Sequence, residues 1–373
     1  MRNFKSFLIS GLCLGSLSVS AAPLKGAYCQ DDSVVVGFAG DILVHDALYK
    51  SILPKQRFTA LWEKAIPLFN KADYMVANLE GPAALGIEKS GRDVGDQGFT
   101  YDLNVYSGTK FSFNFHPQIL RDLKSSGVDL ISTANNHSLD RQWRGVDRTL
   151  EAAKEAGIGT TGTRPSYAPN EQFYHLADVR GYRLAFVACT ESTNGIADTK
   201  SQVLSCYSKS QQVEGLIKQL SGRTDIDAVI VLPHWGVEYS SKPEKSQISY
   251  ARRFLEAGAA AVVGSHPHVL QPWETYRTAD GRQTMIVYSL GNFLAFQSGT
   301  EKKTGAVVYL RLKKDVAGRT QLATAYYTPT YRDGYTVYPI SSRGSKEALK
   351  ESAKHFGTQN RFEPDQKFPG CHL

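Results

Sequence analysis

The 373-residue sequence predicts an α/β protein whose sheets are covered by helices. Three observations point there. Short apolar, β-branched runs alternate with amphipathic helical stretches along most of the chain. Many of those runs are apolar at every position, the pattern of strands buried on both faces. Near the end the helices drop out and strand patterns follow one another directly, an antiparallel portion that closes the same domain or adds a second sheet. Composition agrees: 42% hydrophobic and 21% charged residues, with 32 glycines and 15 prolines, exclude disorder, collagen or coiled coil as descriptions of the whole chain.

Residues 34–39 read as the first strand, 58–71 as a helix with apolar residues three and four apart, and 74–77 as the next strand. Residues 117–126 read as helix, 128–133 as strand, and 145–156 as helix with Gly157 as its stop. Strands follow at 184–188, 228–232 and 260–263, with helices around 211–220 and 247–257 between them. The helix-free end holds strands at 284–290, 305–312 and 320–328. Segments 85–112 and 190–206 are polar, glycine-containing and weakly periodic, the character of long loops that border a site. These elements make one domain over 30–330, and the polar, mixed residues 331–373 read as a peripheral extension.

The amino end pairs a short basic stretch with an apolar run from Phe7 to Val19 and small residues Val19 and Ala21, an export signal over 1–21 cleaved before Ala22. The apolar run is shorter than the ~20 residues of a membrane span. Export to the periplasm or the extracellular space is therefore expected. Removing Arg2 and Lys5 lowers the formal charge from +7 to +5. No Lys/Arg run is long enough to form an electrostatic stripe, so nucleic acid is not an expected partner. Cys29, Cys189, Cys206 and Cys371 remain, an even number compatible with two disulfides. A Cys189–Cys206 bridge would close a short loop, contributing about 3 kcal/mol, and Cys29–Cys371 would tie the two ends together. Four cysteines allow three pairings, and buried free thiols are the alternative.

Chemistry enters where the strands end. VVVGFAGD stops on Asp41, YMVANLEG carries Asn78 and Glu80, and ISTANNHSLD carries Asn135, Asn136, His137 and Asp140. AVIVLPHWG adds His234, and AAVVGSHPH adds His266 and His268. In open α/β sheets the carboxyl ends of strands form the crevice where ligands bind. Helix caps and turns account for single cases but poorly for five clusters together. Imidazole, carboxylate and amide groups without thiolates suit Zn, Mn, Fe or a similar divalent ion. The spacing of His266 and His268 leaves open whether they serve one centre or two, because Pro267 can splay them. Trp235 and Tyr239 read as core residues, with stacking on a substrate as the alternative. Asn292, after a glycine at a strand end, is either a polar lining residue or a turn.

The motifs GD, NLEGP, NNHSLD, HWGVEY, GSHPHV and YSLGNF, in this order over residues 33–297, resemble the capsule/poly-γ-glutamate biosynthesis (CapA-like) family, related to the calcineurin-like metallophosphoesterases. The resemblance implies a four-layer αββα sandwich with one or two divalent ions at the strand ends. It implies Asp41, Glu80, Asn136, His234, His266 and His268 as metal ligands, with Glu80 where relatives have a bridging aspartate. His137 would be the non-ligand histidine that donates a proton, oriented by Asp140. Leu43 stands where such enzymes usually have a histidine. His45 is the nearest substitute, one turn further if a helix starts there; Asn78, Glu238 and Asn292 are further candidates. The resemblance implies a metal-dependent hydrolase acting on a phosphoester or on an anionic polymer such as poly-γ-glutamate. The second expectation is a non-catalytic polymer-binding or assembly factor of a membrane synthase complex.

Overall fold

Val34, Val36 and Phe38 turn to one side of the strand Val34–Ile42, Val35 and Ala39 turn to the other, and all five are buried. A strand apolar on both faces needs a core on each side. In the computed structural model, which describes residues 32–109 and 112–366, this strand is central to the larger of the two main sheets; a third is the two-stranded pair Ser107–Thr109 and Ser112–Asn114. On one side it pairs in parallel with Tyr74–Leu79, followed by Leu130–Ser132 and Gly159–Thr161. On the other it pairs antiparallel with Thr304–Lys314, followed by Thr320–Asp333 and Thr336–Pro339. The second sheet has the order Leu270–Arg277, Gln283–Leu290, Ala261–Val263, Ala228–His234, Tyr182–Thr190, Tyr174–Val179; its inner four strands are parallel and its edge strands antiparallel.

Three apolar cores separate four layers. The first packs Val35, Ala77 and Ile131 of the larger sheet against Leu48, Ile119 and Ala153 from the helices Asp46–Ile52, Gln118–Ser126 and Gln142–Ala156. The second lies between the sheets, where Val36, Phe38 and Val308 meet Phe186, Ile230 and Val287. In the third, Val231 and Val262 pack on Ile217 and Phe254 from the helices Ser210–Ser221 and Lys245–Glu256. The fold is the four-layer αββα sandwich, and each fully buried Val or Phe contributes about 1.5–3 kcal/mol to holding it.

Two sequence expectations need correction. The helix expected over 58–71 is broken into the 3₁₀ turns Phe58–Leu61 and Glu63–Ala65 and the short helix Ile66–Phe69. Trp62 leaves helical geometry at φ −140°, because its buried indole donates to Ser126 Oγ at 2.9 Å and Asp122 accepts from the Thr59 N–H at 3.2 Å. The three late strands do not form one antiparallel unit either. Gln283–Leu290 belongs to the second sheet; the chain crosses through Asn292–Leu294, parallel to the first strand, before Thr304–Lys314 and Thr320–Asp333 complete the first sheet. Burial of both strand faces looks the same in sequence whichever sheet provides it.

Beyond residue 331, Thr336–Pro339 forms the edge of the larger sheet and the helix Lys346–Phe356 starts at Ser345, whose Oγ accepts from the Ala348 N–H at 3.0 Å. Cys189 and Cys206 form a disulfide with a sequence separation of 17. The expected export signal over 1–21, its cleavage site at Ala21/Ala22, and Cys29 and Cys371 lie outside the described residues. Among the described residues no helix is long and apolar enough to cross a membrane.

Candidate metal centre

Parallel strands in both sheets deliver their carboxyl ends to one edge of the sandwich. In register, Asp41 lies beside Asn78 on one side and Asn292 on the other. From the second sheet come His234, at the end of its strand, and His266 and His268, after Ala261–Val263. The two sets meet because glycines let backbones touch. A Cβ on Gly40 would lie 1.9 Å from Gly291 O, where the Asp41 N–H donates at 3.1 Å. Any larger residue would force the first strand away from the crossing segment.

Glu80 is the focus. It is completely buried, and neither carboxylate oxygen has a hydrogen-bond partner. Its Oε1 lies 3.5 Å from His234 Nε2 and 3.6 Å from His268 Nε2. Burial alone would push this carboxyl up, but the charges of His268, His234 and His137 hold it well below the usual carboxylate range. A buried carboxylate without hydrogen bonds carries a desolvation cost of several kcal/mol unless a cation meets it.

Two groups of ligand-type atoms share Glu80: Asp41, Glu80 and His268 in one, Glu80, His234 and His266 in the other, each with all three atoms within 4.8 Å of one another. The turn at Pro267 separates the histidines, which face different groups with ring centroids 6.0 Å apart. Both sit at positive φ, 101° at His266 and 58° at His268, a backbone geometry that costs energy in non-glycine residues and clusters at functional sites. Burial and the neighbouring His234 charge lower His266 to about 3, so its ring is neutral. Burial opposes a charge on His268, yet Glu80 and Asp41 raise it to about 9.

The surrounding amides hold these groups in place. Asn78 Nδ2 donates to Asp41 Oδ1 at 2.8 Å, and Asn136 Oδ1 lies 2.9 Å from His234 Nε2. Asn292 Oδ1 meets His268 Nδ1 at 2.9 Å while its Nδ2 donates to His268 O and Gln297 Oε1, so this residue is neither a bare turn nor a passive lining group. His137 Nδ1 is 2.8 Å from Asp140 Oδ2, which also accepts from the Phe113 N–H. Burial works against the charged form of His137, but Asp140 and Glu80 outweigh it and raise its pKa. Burial also raises the Asp140 carboxyl, so both shifts favour a pair that retains a proton.

His45 does not sit one helical turn beyond Asp41, because Asp41 is still in the strand and the helix begins at Asp46. Its Nδ1 accepts from the Phe296 N–H at 3.1 Å, burial lowers it to about 4, and it belongs to neither three-residue group. Glu238 is half-buried beside the centre and also outside both groups. Trp235 is core, with its indole donating to Tyr288 O. Tyr239 is not core: it is half-exposed, its ring centroid 6.1 Å from that of His268.

The sequence reading overlooked Ser265, whose Oγ is 3.0 Å from His234 Nδ1, and Asn194, whose Oδ1 accepts from Asn136 Nδ2 at 3.4 Å. Ser265 sat visibly within GSHPH. Asn194 lies in the 190–206 loop, and no local pattern marks it.

The fold and site define the class: an αββα sandwich with carboxylates, amides and imidazoles gathered at its strand ends around a candidate divalent-metal centre. Residues 35–297 match the family model described as "Bacterial capsule synthesis protein PGA_cap", and the chain belongs to that family. It is 29% identical over 300 residues to the capsule biosynthesis protein CapA of Bacillus anthracis, covering 79% of this chain and 67% of that protein. To the PGA biosynthesis protein CapA of Bacillus subtilis (strain 168) it is 28% identical over 324 residues, covering 86% of this chain and 77% of the relative. The solved structure of PhoD aligns at 10% identity and a TM-score of 0.35, over 85% of this chain and 73% of that one.

Proposed function

We propose that the protein is an exported, metal-dependent hydrolase that processes a poly-γ-glutamate or capsule-type anionic polymer by breaking a phosphoester or amide bond. The observation that carries this is the Glu80 carboxylate, buried without a hydrogen-bond partner and within 3.5–3.6 Å of the imidazoles of His234 and His268. The donor set fits a hard-to-borderline divalent ion such as Mn, Zn or Fe. Asp41, Glu80 and His268 would hold one ion; Glu80, His234, His266 and Asn136 would hold a second. When bound, such ions supply Lewis acidity at the oxygen of the bond being cleaved.

The chain's own residues do the rest. Asn78 and Asn292 orient Asp41 and His268, as outer partners of ligating groups commonly do. His137, held by Asp140 and biased toward its protonated form, donates a proton to the leaving group. The relatives' names in capsule and PGA biosynthesis support the polymer as substrate class, and the Cys189–Cys206 disulfide supports an oxidising compartment.

Elemental analysis of protein purified without added metal tests the reading. Two equivalents of transition metal are expected, lost in Asp41→Ala and His268→Ala. His137→Gln is expected to keep its metal while hydrolysis of poly-γ-glutamate or a model phosphodiester falls by roughly 10²–10⁴. Protein free of metal would overturn the proposal. Metal-loaded protein that binds the polymer and never cuts it would establish the assembly-factor alternative instead.

A further inference from the structure

We propose that a rim of aromatic rings and cations beside the centre, built from Tyr239, Phe296, Tyr335, Lys302 and Arg332, is a subsite for an extended carboxylate-bearing chain. This deepens the reading of an anionic polymer as substrate and rests on it. Tyr239 and Tyr335 are each 49% exposed and Phe296 39%, unusual for large rings gathered on one surface. Phe296 stacks on Tyr335 with centroids 5.5 Å apart. Gln297 joins the two halves, its Nε2 donating to the Tyr239 hydroxyl at 3.3 Å.

Each half carries a cation over a ring. Lys302 Nζ stands 4.6 Å from the Tyr239 centroid, and the Arg332 guanidinium 4.7 Å from that of Phe296. Arg332 is only 5% exposed; it donates to Gln297 O at 2.8 Å and to Gly334 O, and its Nε is buried without a hydrogen-bond partner. Neither Arg332 nor Lys302 makes an ion pair among the described residues. Neighbouring Asp333 pairs with Arg343 at 2.6 Å instead, and the rim's own carboxylate, Glu238, acts on the Tyr239 hydroxyl, whose pKa burial and this charge raise. Positive charge held without a carboxylate partner, one part of it almost fully buried, is complementary to an anionic ligand.

The rim leads directly to the proposed chemistry. The Phe296 N–H donates to His45 Nδ1, and the Tyr239 N–H donates to the carbonyl of Pro267, between His266 and His268, at 2.7 Å. The rings lie open at the surface, so a small ligand gains little enclosure there. An extended chain gains from several modest cation and ring contacts at once while one of its bonds reaches the centre.

The test is binding of fluorescein-labelled poly-γ-glutamate to the metal-loaded full chain at low salt, with free glutamate as competitor. Wild-type protein is expected to bind the polymer, to lose affinity as salt rises, and to be displaced poorly by the monomer. Lys302→Glu and the double variant Tyr239→Ala, Phe296→Ala are expected to raise Kd about tenfold with metal content unchanged. Both are surface changes, so folding remains measurable even if Arg332→Met does not fold. Wild-type affinity in both rim variants overturns the subsite and leaves the hydrolase reading standing. Failure of wild-type protein to bind the polymer at all removes polymer as the substrate class, and the subsite with it.

Discussion

Single residues at the strand ends decide what this protein does with protons. His268 is raised to about 9 by Glu80 and Asp41, against an ordinary value of 6.5, so the folded, metal-free protein carries a proton there at neutral pH. That proton contributes stability in full below about pH 6.5 and is lost as pH rises through 9, so the metal-free protein becomes less stable across this window. A ligating imidazole must be neutral, so loading with metal releases the proton and affinity rises with pH up to about 9. Calorimetric titrations of Zn or Mn near neutral pH, in two buffers of different ionisation enthalpy, should report close to one proton released. No release would mean that His268 is not a ligand. Every residue of the two ligand groups was visible in sequence, as a polar residue after an apolar run. What Asn292 does was not, because its partner His268 is 24 positions away, in the bend between two strands of the other sheet.

At the scale of elements, the loops carry more than the sequence suggests. The 190–206 segment reads as a polar loop, yet the Cys189–Cys206 bridge closes it while its Asn194 touches Asn136. Replacing both cysteines by serine should lower unfolding free energy by about 3 kcal/mol, read from the denaturant midpoint. An unchanged midpoint would show that packing alone holds the loop. The other segment expected as a loop, 85–112, instead ends in the strand Ser107–Thr109 paired with Ser112–Asn114, and its described residues are organised by the buried Arg141 guanidinium, which donates to Ile87 O, Val105 O and the hydroxyls of Ser107 and Ser112. Arg141 adjoins Asp140, so the same turn that orients His137 also anchors this segment. The broken helix near Trp62 teaches the complementary lesson. Its apolar spacing is helical, but a hydrogen bond to Ser126, 64 residues away, outweighs local propensity.

For the molecule as a whole, the segment after residue 331 is the sharpest case. Phe356 is buried in the core between the sheets and Phe362 in the core beneath the first helices. Losing a buried phenylalanine costs about 3–5 kcal/mol, so losing both approaches the ~5–15 kcal/mol that holds a domain together. A chain ending at residue 333 should therefore lose cooperative unfolding and its near-ultraviolet circular dichroism; retention of both would establish the residues after 333 as a dispensable extension. By itself the sequence determined the α/β alternation, the apolar faces of the strands and the polar residues that follow them. These are matters of backbone periodicity and near neighbours, and they are written locally. Only the tertiary structure decided which sheet each late strand joins, that His266 and His268 part to face two groups around one carboxylate, and that exposed rings gather at their edge. Each of these depends on contacts between distant segments, such as Gly40 against Gly291, where the energy comes from close approach and leaves no periodic mark in the chain.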